Sequence, residues 1–391
     1  MTTTVSTPIR AAAITVLLVY GASLTTQPQT VAAAAPRGES PAASQAVASL
    51  PDRLSDAEFF SLVTDISEPG GAFRIADNFT SNELEVGRVF TMLRERGVAG
   101  GVYLGVGPEQ NLTYIAAIRP AMAFVVDIRR QAVMQHLMFK AVFELANDRA
   151  DFIALLFSKP RPADLDVTTP IQRIWNAYAA VPTDRELASK NANRIVNHLT
   201  RTHGFTFTAD ESAQFETVRT AFVRYGPDIS TRGWAGVALA GTWRMRGGTF
   251  AGLTGSAYDD DGEPQSFLST EENFRFVKAL HEKNLLIPVS GDFGGPKAIR
   301  AIGAYLHKQG GVVSAFYVSN VEQYLFQDRT ARAFYDNVAT LPVNDASVFI
   351  RPYSLRLESW AAAPLCPIAG FIREVRGGRI SGNGDALACI R

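Results

Sequence analysis

The chain has 391 residues, 47% of them hydrophobic, enough to bury one large core and too apolar for extensive disorder. Its 38 Lys and Arg balance 38 Asp and Glu, so no global field draws it to nucleic acid or to an anionic membrane. A nucleic-acid partner is not expected.

The N-terminus carries Arg10, an apolar run from Ala11 to Leu24 and a small-residue cluster from Val31 to Ala35. That layout is expected of a secretory signal peptide over residues 1–35, because an apolar run of about 14 residues is short for a membrane span. No cysteine stands near the expected cleavage site for lipid attachment, so the processed protein is expected in a secreted or periplasmic location, off the membrane. Residues 36–51, rich in Pro, Ala and Ser, read as a flexible linker.

The folded part is expected from residue 52. Apolar Leu54, Phe59, Leu62, Val63 and Ile66 recur at helical spacing. A second helix is expected over Ser81 to Arg96, with Thr80 and Glu83 as a capping box and Gly97 at its end. The segment Asn78 to Glu83 is either that helix start alone or a polar flap able to close over a ligand.

Strand Val102 to Gly105, a glycine turn to Pro108, a helix to Ile118, strand Ala123 to Asp127 and a long helix Arg130 to Ala146 follow in close succession. This rhythm predicts an α/β, Rossmann-like fold with a mostly parallel sheet and helices on both faces. Residues 52–158 supply its first part. Residues 159–250 read as a helical insertion, with helices near Ile171 to Ala179, Arg185 to Leu199 and Asp210 to Tyr225. The core resumes over residues 251–364, with a helix capped by Ser269 and Glu272, strand Leu285 to Ser290, a helix opening at Pro296, strand Val312 to Val318 and a helix from Val321. Residues 365–391 form a C-terminal tail whose two cysteines, Cys366 and Cys389, are the only ones in the chain. A disulfide between them is expected in an exported protein, stabilising by on the order of 3 kcal/mol.

Chemistry concentrates at the first β-α-β unit. Gly105 and Gly107 end the first strand, and Asp127 ends the second about 20 residues on, the distance at which an acid meets a ribose. Glu109 and Gln110 stand where a dinucleotide fingerprint would place further glycine, and the charge of Glu109 disfavours a pyrophosphate and suits an adenosine ligand without phosphate. The opposing reading is that the glycines only permit a turn and Asp127 only caps a helix. Arg129 and Arg130 either hold an anionic group or pair within the protein.

The runs YLGVGPEQNLTYIAAIRP, VVDIRR, GDFGGPKAIRAIG and AFYVSNVEQYL resemble an uncharacterised bacterial family with a class I, S-adenosylmethionine-dependent methyltransferase-like Rossmann fold, over roughly Asp52 to Tyr353. The resemblance implies S-adenosylmethionine as cofactor, with Gly105, Gly107, Glu109, Asp127 and Arg129 around it. Tyr103, where the family pattern has an acid, and Glu109, where it has glycine, depart from that pattern. Candidate catalytic residues at later strand ends are Asp292, Asn320 and Glu322; Asn320 lacks the prolines of an Asn-Pro-Pro motif. Because S-adenosylmethionine is made in the cytosol, an exported, non-catalytic protein that keeps the fold to bind another ligand or partner is the competing reading.

No metal site is expected. His136, His198, His203, His281 and His307 show no His-Glu-x-x-His or paired spacing, and Asp259 to Gly262 lacks the acids of a calcium loop. A Gly-x-Ser-x-Gly nucleophile elbow is missing from the sequence too.

Overall fold

A computed structural model describes residues 49–74, 78–83, 86–230, 248–352 and 363–389. The expected signal peptide lies outside the described residues, as does nearly all of the expected linker. Among the described residues no helix is long and apolar enough to cross a membrane.

Six strands form one sheet: β1 (Val102–Gly105), β2 (Met122–Asp127), β3 (Leu286–Ser290), β4 (Val313–Tyr317), β5 (Val348–Ile350) and β6 (Leu365–Pro367). Their spatial order is β3-β2-β1-β4-β5-β6, with every neighbouring pair parallel except β5 and β6. Leu104 lies beside Phe124 on one side and Phe316 on the other, and Asp127 lies beside Ser290. Strands β1, β2 and β3 are buried along their whole length. Unbroken apolar runs such as Val-Tyr-Leu and Met-Ala-Phe-Val-Val are what a parallel sheet covered on both faces requires. The Rossmann-like α/β architecture is thereby established.

Helix α1 (Asp56–Ile66) starts at a capping box in which Ser55 Oγ accepts from Glu58 N–H and the Glu58 carboxylate accepts from Ser55 N–H. Helix α2 (Gly87–Glu95) begins six residues later than its expected start. The reason is tertiary: Glu83 turns inward to accept from Tyr317 Oη and Ser319 Oγ, at 2.8 and 2.6 Å, so it does not cap a helix. Two other caps differ from expectation. Thr270, not Ser269, accepts from Asn273 N–H at the start of Glu271–Glu282. The helix Ala298–Lys308 starts after Pro296, and its orphan donors on Lys297 and Ala298 go to the distant Glu68 carboxylate, each at 2.8 Å.

Between β1 and β2 runs α3 (Gln110–Ile118); after β2 comes the long α4 (Arg130–Leu145), followed by α5 (Arg149–Phe157). The insertion consists of α6 (Ile171–Ala179), α7 (Arg185–Asn197), a π turn at His198–Thr202 and α8 (Ala209–Tyr225). It packs into the same unit as the sheet, Val47–Arg391. Phe222 of α8 meets Phe139 of α4 and Phe157 of α5 with ring centroids 5.7 and 6.0 Å apart. Buried Arg149 donates to four carbonyls, of Leu268, Ser269, Val167 and Thr169, and so ties the insertion to the returning chain.

The segment set apart as a tail completes the sheet. Phe349 of β5 pairs antiparallel with Cys366 of β6, and Cys366 is disulfide-bonded to Cys389 with Cα atoms 5.7 Å apart.

Candidate functional site

The sheet order places a topological switch between β1 and β4, where the chain leaves one strand's carboxyl end to each side and a crevice opens. A cavity of about 290 Å³ sits there, at the small end of ligand sites. Val106 and Gly107 from β1, Asp127 and Arg129 from β2, Asp292 and Phe293 from β3, and Tyr317, Ser319 and Asn320 from β4 line it. Phe73, Asn78, Ser81 and Asn82 close it from the segment before α2, and Tyr324 from the helix after β4.

The glycine turn is braced from within. Asn111 Nδ2 donates to the carbonyls of Val106, Gly107 and Pro108 at 2.7 to 3.1 Å, and Tyr103 Oη donates to Asn111 Oδ1 at 3.0 Å. Tyr103 thus has a structural use in bracing the turn. His136 Nε2 meets Gly107 O at 2.9 Å, and burial holds this imidazole below its ordinary pKa, which suits a neutral ring donating that proton. Gly107, at φ +78°, adopts a backbone that side chains resist. Gly105 is required for a different reason: a Cβ there would strike Asn111 Oδ1 and lie 2.8 Å from the Tyr103 ring.

That geometry corrects three expectations. Gly105 and Glu109 were expected around a cofactor, yet neither lines the cavity. Glu109 is 1% exposed and turns away from the crevice to accept from Ser81 N–H at 3.0 and 3.1 Å; burial pushes its carboxyl up to about 7. It therefore fastens the Asn78–Glu83 segment to the start of α3 and does not place a charge on the turn. Glu322, expected near a substrate, is buried against Arg351, with oxygens 2.6 and 2.9 Å from the guanidinium, and accepts from Tyr335 Oη at 2.7 Å. It is a structural ion pair outside the crevice.

The remaining five expected residues do converge on the crevice: Gly107, Asp127, Arg129, Asp292 and Asn320. Asp127 and Arg129 form a tight local pair. Arg129 N and Nε donate to Asp127 Oδ1 at 2.9 and 3.1 Å, and Nη2 to Oδ2 at 2.9 Å. Asp292 Oδ1 accepts from Gly294 N–H at 2.9 Å. Arg130 points elsewhere, to Glu211 of α8 at 2.6 Å, so of the two arginines only Arg129 serves the crevice.

Sequence reasoning missed Glu83. It lies buried beneath the crevice wall; desolvation raises its carboxyl pKa and the hydrogen bonds from Ser319 and Tyr317 only partly oppose this. Its Oε2 has no hydrogen-bond partner among the described residues. The signal was present as an acid in the polar Asn78–Glu83 run, but capping offered a local explanation that concealed it.

A second group of polar side chains, Glu144, His198 and His203, comes together at the far end of α4, with nitrogen and carboxylate oxygen atoms that all lie within 4.8 Å of one another. The sequence shows no metal-type spacing for these histidines; the π turn nonetheless places His198 and His203, five residues apart, on one face.

Residues 78–203 and 249–366 match a family described as a domain of unknown function, DUF7790. No curated protein matches the chain.

Proposed function

The chain belongs to the DUF7790 family, and we propose that its crevice binds a small adenosine-type ligand, S-adenosylmethionine first, in an exported methyltransferase-like protein. The observation that carries this reading is the position of Asp127, at the tip of β2 in the wall of a cavity that Gly107 also lines.

Acceptor capacity supports it. A carboxylate offers about four lone-pair sites, and Arg129 takes three of those on Asp127, leaving one on Oδ2 for a ribose hydroxyl. Phe73, Phe293 and Tyr324 supply apolar surface for a base. The cavity volume suits a mononucleoside better than a dinucleotide. When bound, S-adenosylmethionine supplies an activated methyl group. Around it, Asp127 would orient the ribose, Arg129 would hold Asp127 in place, and Asp292 and Asn320 would face the acceptor.

One observation favours the competing reading of a non-catalytic exported binding protein. Asp127 and Asp292, the two candidate acids in the crevice wall, already accept hydrogen bonds from the protein, so neither is an idle base.

Thermal unfolding of the full chain with S-adenosylmethionine, S-adenosylhomocysteine, adenosine or NAD tests the proposal. The adenosine-type ligands should raise the Tm in a concentration-dependent way and NAD should not. A rise with NAD alone, or with none of the four, would remove the proposal.

A further inference from the structure

We propose that Glu144, His198 and His203 form a binding site for one divalent transition ion of the zinc class, separate from the crevice. Glu144 lies 14 residues along α4 from Arg130, about 20 Å from the strand ends at 1.5 Å per residue.

The donor set is the first argument. Nε2 of His198 and Nε2 of His203 both point at the same carboxylate oxygen, Glu144 Oε2, each at 2.6 Å, and stand 3.3 Å from one another. Two imidazoles and one carboxylate are a zinc ligand set that leaves a fourth position for water or substrate. The 3.3 Å between the two histidine nitrogens equals the ligand–ligand edge of a tetrahedron with bonds of about 2.0–2.1 Å, while each 2.6 Å contact to Glu144 Oε2 would lengthen by roughly 0.7 Å as an ion takes the place between them.

The surrounding groups are the second argument. Asp56 Oδ1 lies 2.7 Å from His203 Nδ1, and Asn284 Nδ2 holds the same Asp56 oxygen at 2.9 Å. A carboxylate behind a histidine fixes the ring and the tautomer that frees Nε2 for metal. Lys140 Nζ bonds Glu144 Oε1 at 2.6 Å, leaving Oε2 as the ligand atom. Lys140 is satisfied elsewhere by His281 O and Asn284 Oδ1, so it stays on that side.

The local backbone and access complete the case. His203 N–H donates to His198 O at 3.2 Å, the i to i+5 bond of a π turn, a feature that often marks functional sites. An open depression lined by Asp56, Phe60, Ser61, Thr64, His203 and Gly204 leads from solvent to the His203 side of the cluster. An ion there would join α4 of the core to the π turn of the insertion.

The experiment uses the full chain without a histidine tag, stripped by a chelator and titrated with Co²⁺ and then Zn²⁺. One equivalent of Co²⁺ should give the visible bands of a four-coordinate site, and Zn²⁺ should abolish them. Asp56→Asn should weaken binding by about 10–100-fold, and His198→Gln or His203→Gln by more. The same circular dichroism spectrum in metal-free wild type and variants shows that folding is not the cause. Should a histidine variant not fold, wild-type stoichiometry and Asp56→Asn decide. Failure of the wild type to take up one equivalent, or equal affinity in folded variants, would overturn the site.

Discussion

Arg129 reaches back two residues to clasp Asp127, with its backbone N–H and two guanidinium nitrogens on the two carboxylate oxygens. Both residues are under 10% exposed, so the pair is far less screened than a surface ion pair. Removing Asp127 alone would take from buried Arg129 the carboxylate that its backbone N–H, Nε and Nη2 all hold, and so would disturb Arg129 as well. A fair test of the Asp127 contact therefore changes both residues together.

Gly105 serves the turn by leaving space for Asn111. Gly105→Ala should lower stability by about 1–3 kcal/mol through overpacking. In an Asn111→Ala background the same change should cost less, because the atom it strikes is gone. Urea unfolding of the four proteins in the cycle measures this coupling; strictly additive effects would show that Asn111 is not what excludes a side chain at 105.

Glu109 should make stability depend on pH. Its carboxyl, ordinarily near 4.5, is pushed by burial up to about 7. Between those values the folded protein keeps a proton that the unfolded chain has released, so its contribution is fully present below about 4.5 and lost as pH rises through 7. The full loss is on the order of 3 kcal/mol. Glu109→Gln keeps an acceptor for Ser81 N–H and should flatten the fall between pH 5 and 8, leaving a residual slope from Glu83, whose pKa is raised in the same direction. Unfolding free energies at the two ends of that range check this; an unchanged slope would mean that Glu109 is ionised at low cost.

The Cys366–Cys389 bond joins residues 23 apart in sequence and ties Cys389 to the antiparallel edge strand. Cys389→Ser should lower stability by about 3 kcal/mol. A calorimetric scan of wild type with and without a thiol reductant should reproduce the drop, while Cys389→Ser should be insensitive to the reductant. Equal Tm values in all conditions would contradict a stabilising bond.

Much of the fold was legible where signals were local. The apolar runs of β1 to β4, the helices Ile171–Ala179 and Ala209–Tyr225, and the cysteine pair all follow from periodicity and composition. Strands β5 and β6 were not legible, because three residues carry no period and only pairing with each other and with β4 makes them strands. The helix expected to open at Pro296 begins at Ala298, and the carboxylate that takes the N–H groups of Lys297 and Ala298 comes from distant Glu68, beyond the reach of a local reading. At the crevice, strand ends located Gly107, Asp127, Arg129, Asp292 and Asn320, since an open parallel sheet gathers them. The orientation of Glu109 and Glu322, one fastened to Ser81 and the other to Arg351, depends on partners 28 and 29 residues away. The Glu144–His198–His203 group was hidden for the same reason: Glu144 lies 54 residues before His198, and the two histidines share a face only on a π turn.

Adenosine-type binding at Asp127 is tested most directly by isothermal titration of the full chain with S-adenosylhomocysteine, beside the double variant Asp127→Ala/Arg129→Ala. One site is expected in the wild type and at least about tenfold weaker binding in the variant, the loss of one hydrogen bond worth roughly 1.5 kcal/mol. No heat with the wild type, or the same affinity in a folded variant, would contradict it.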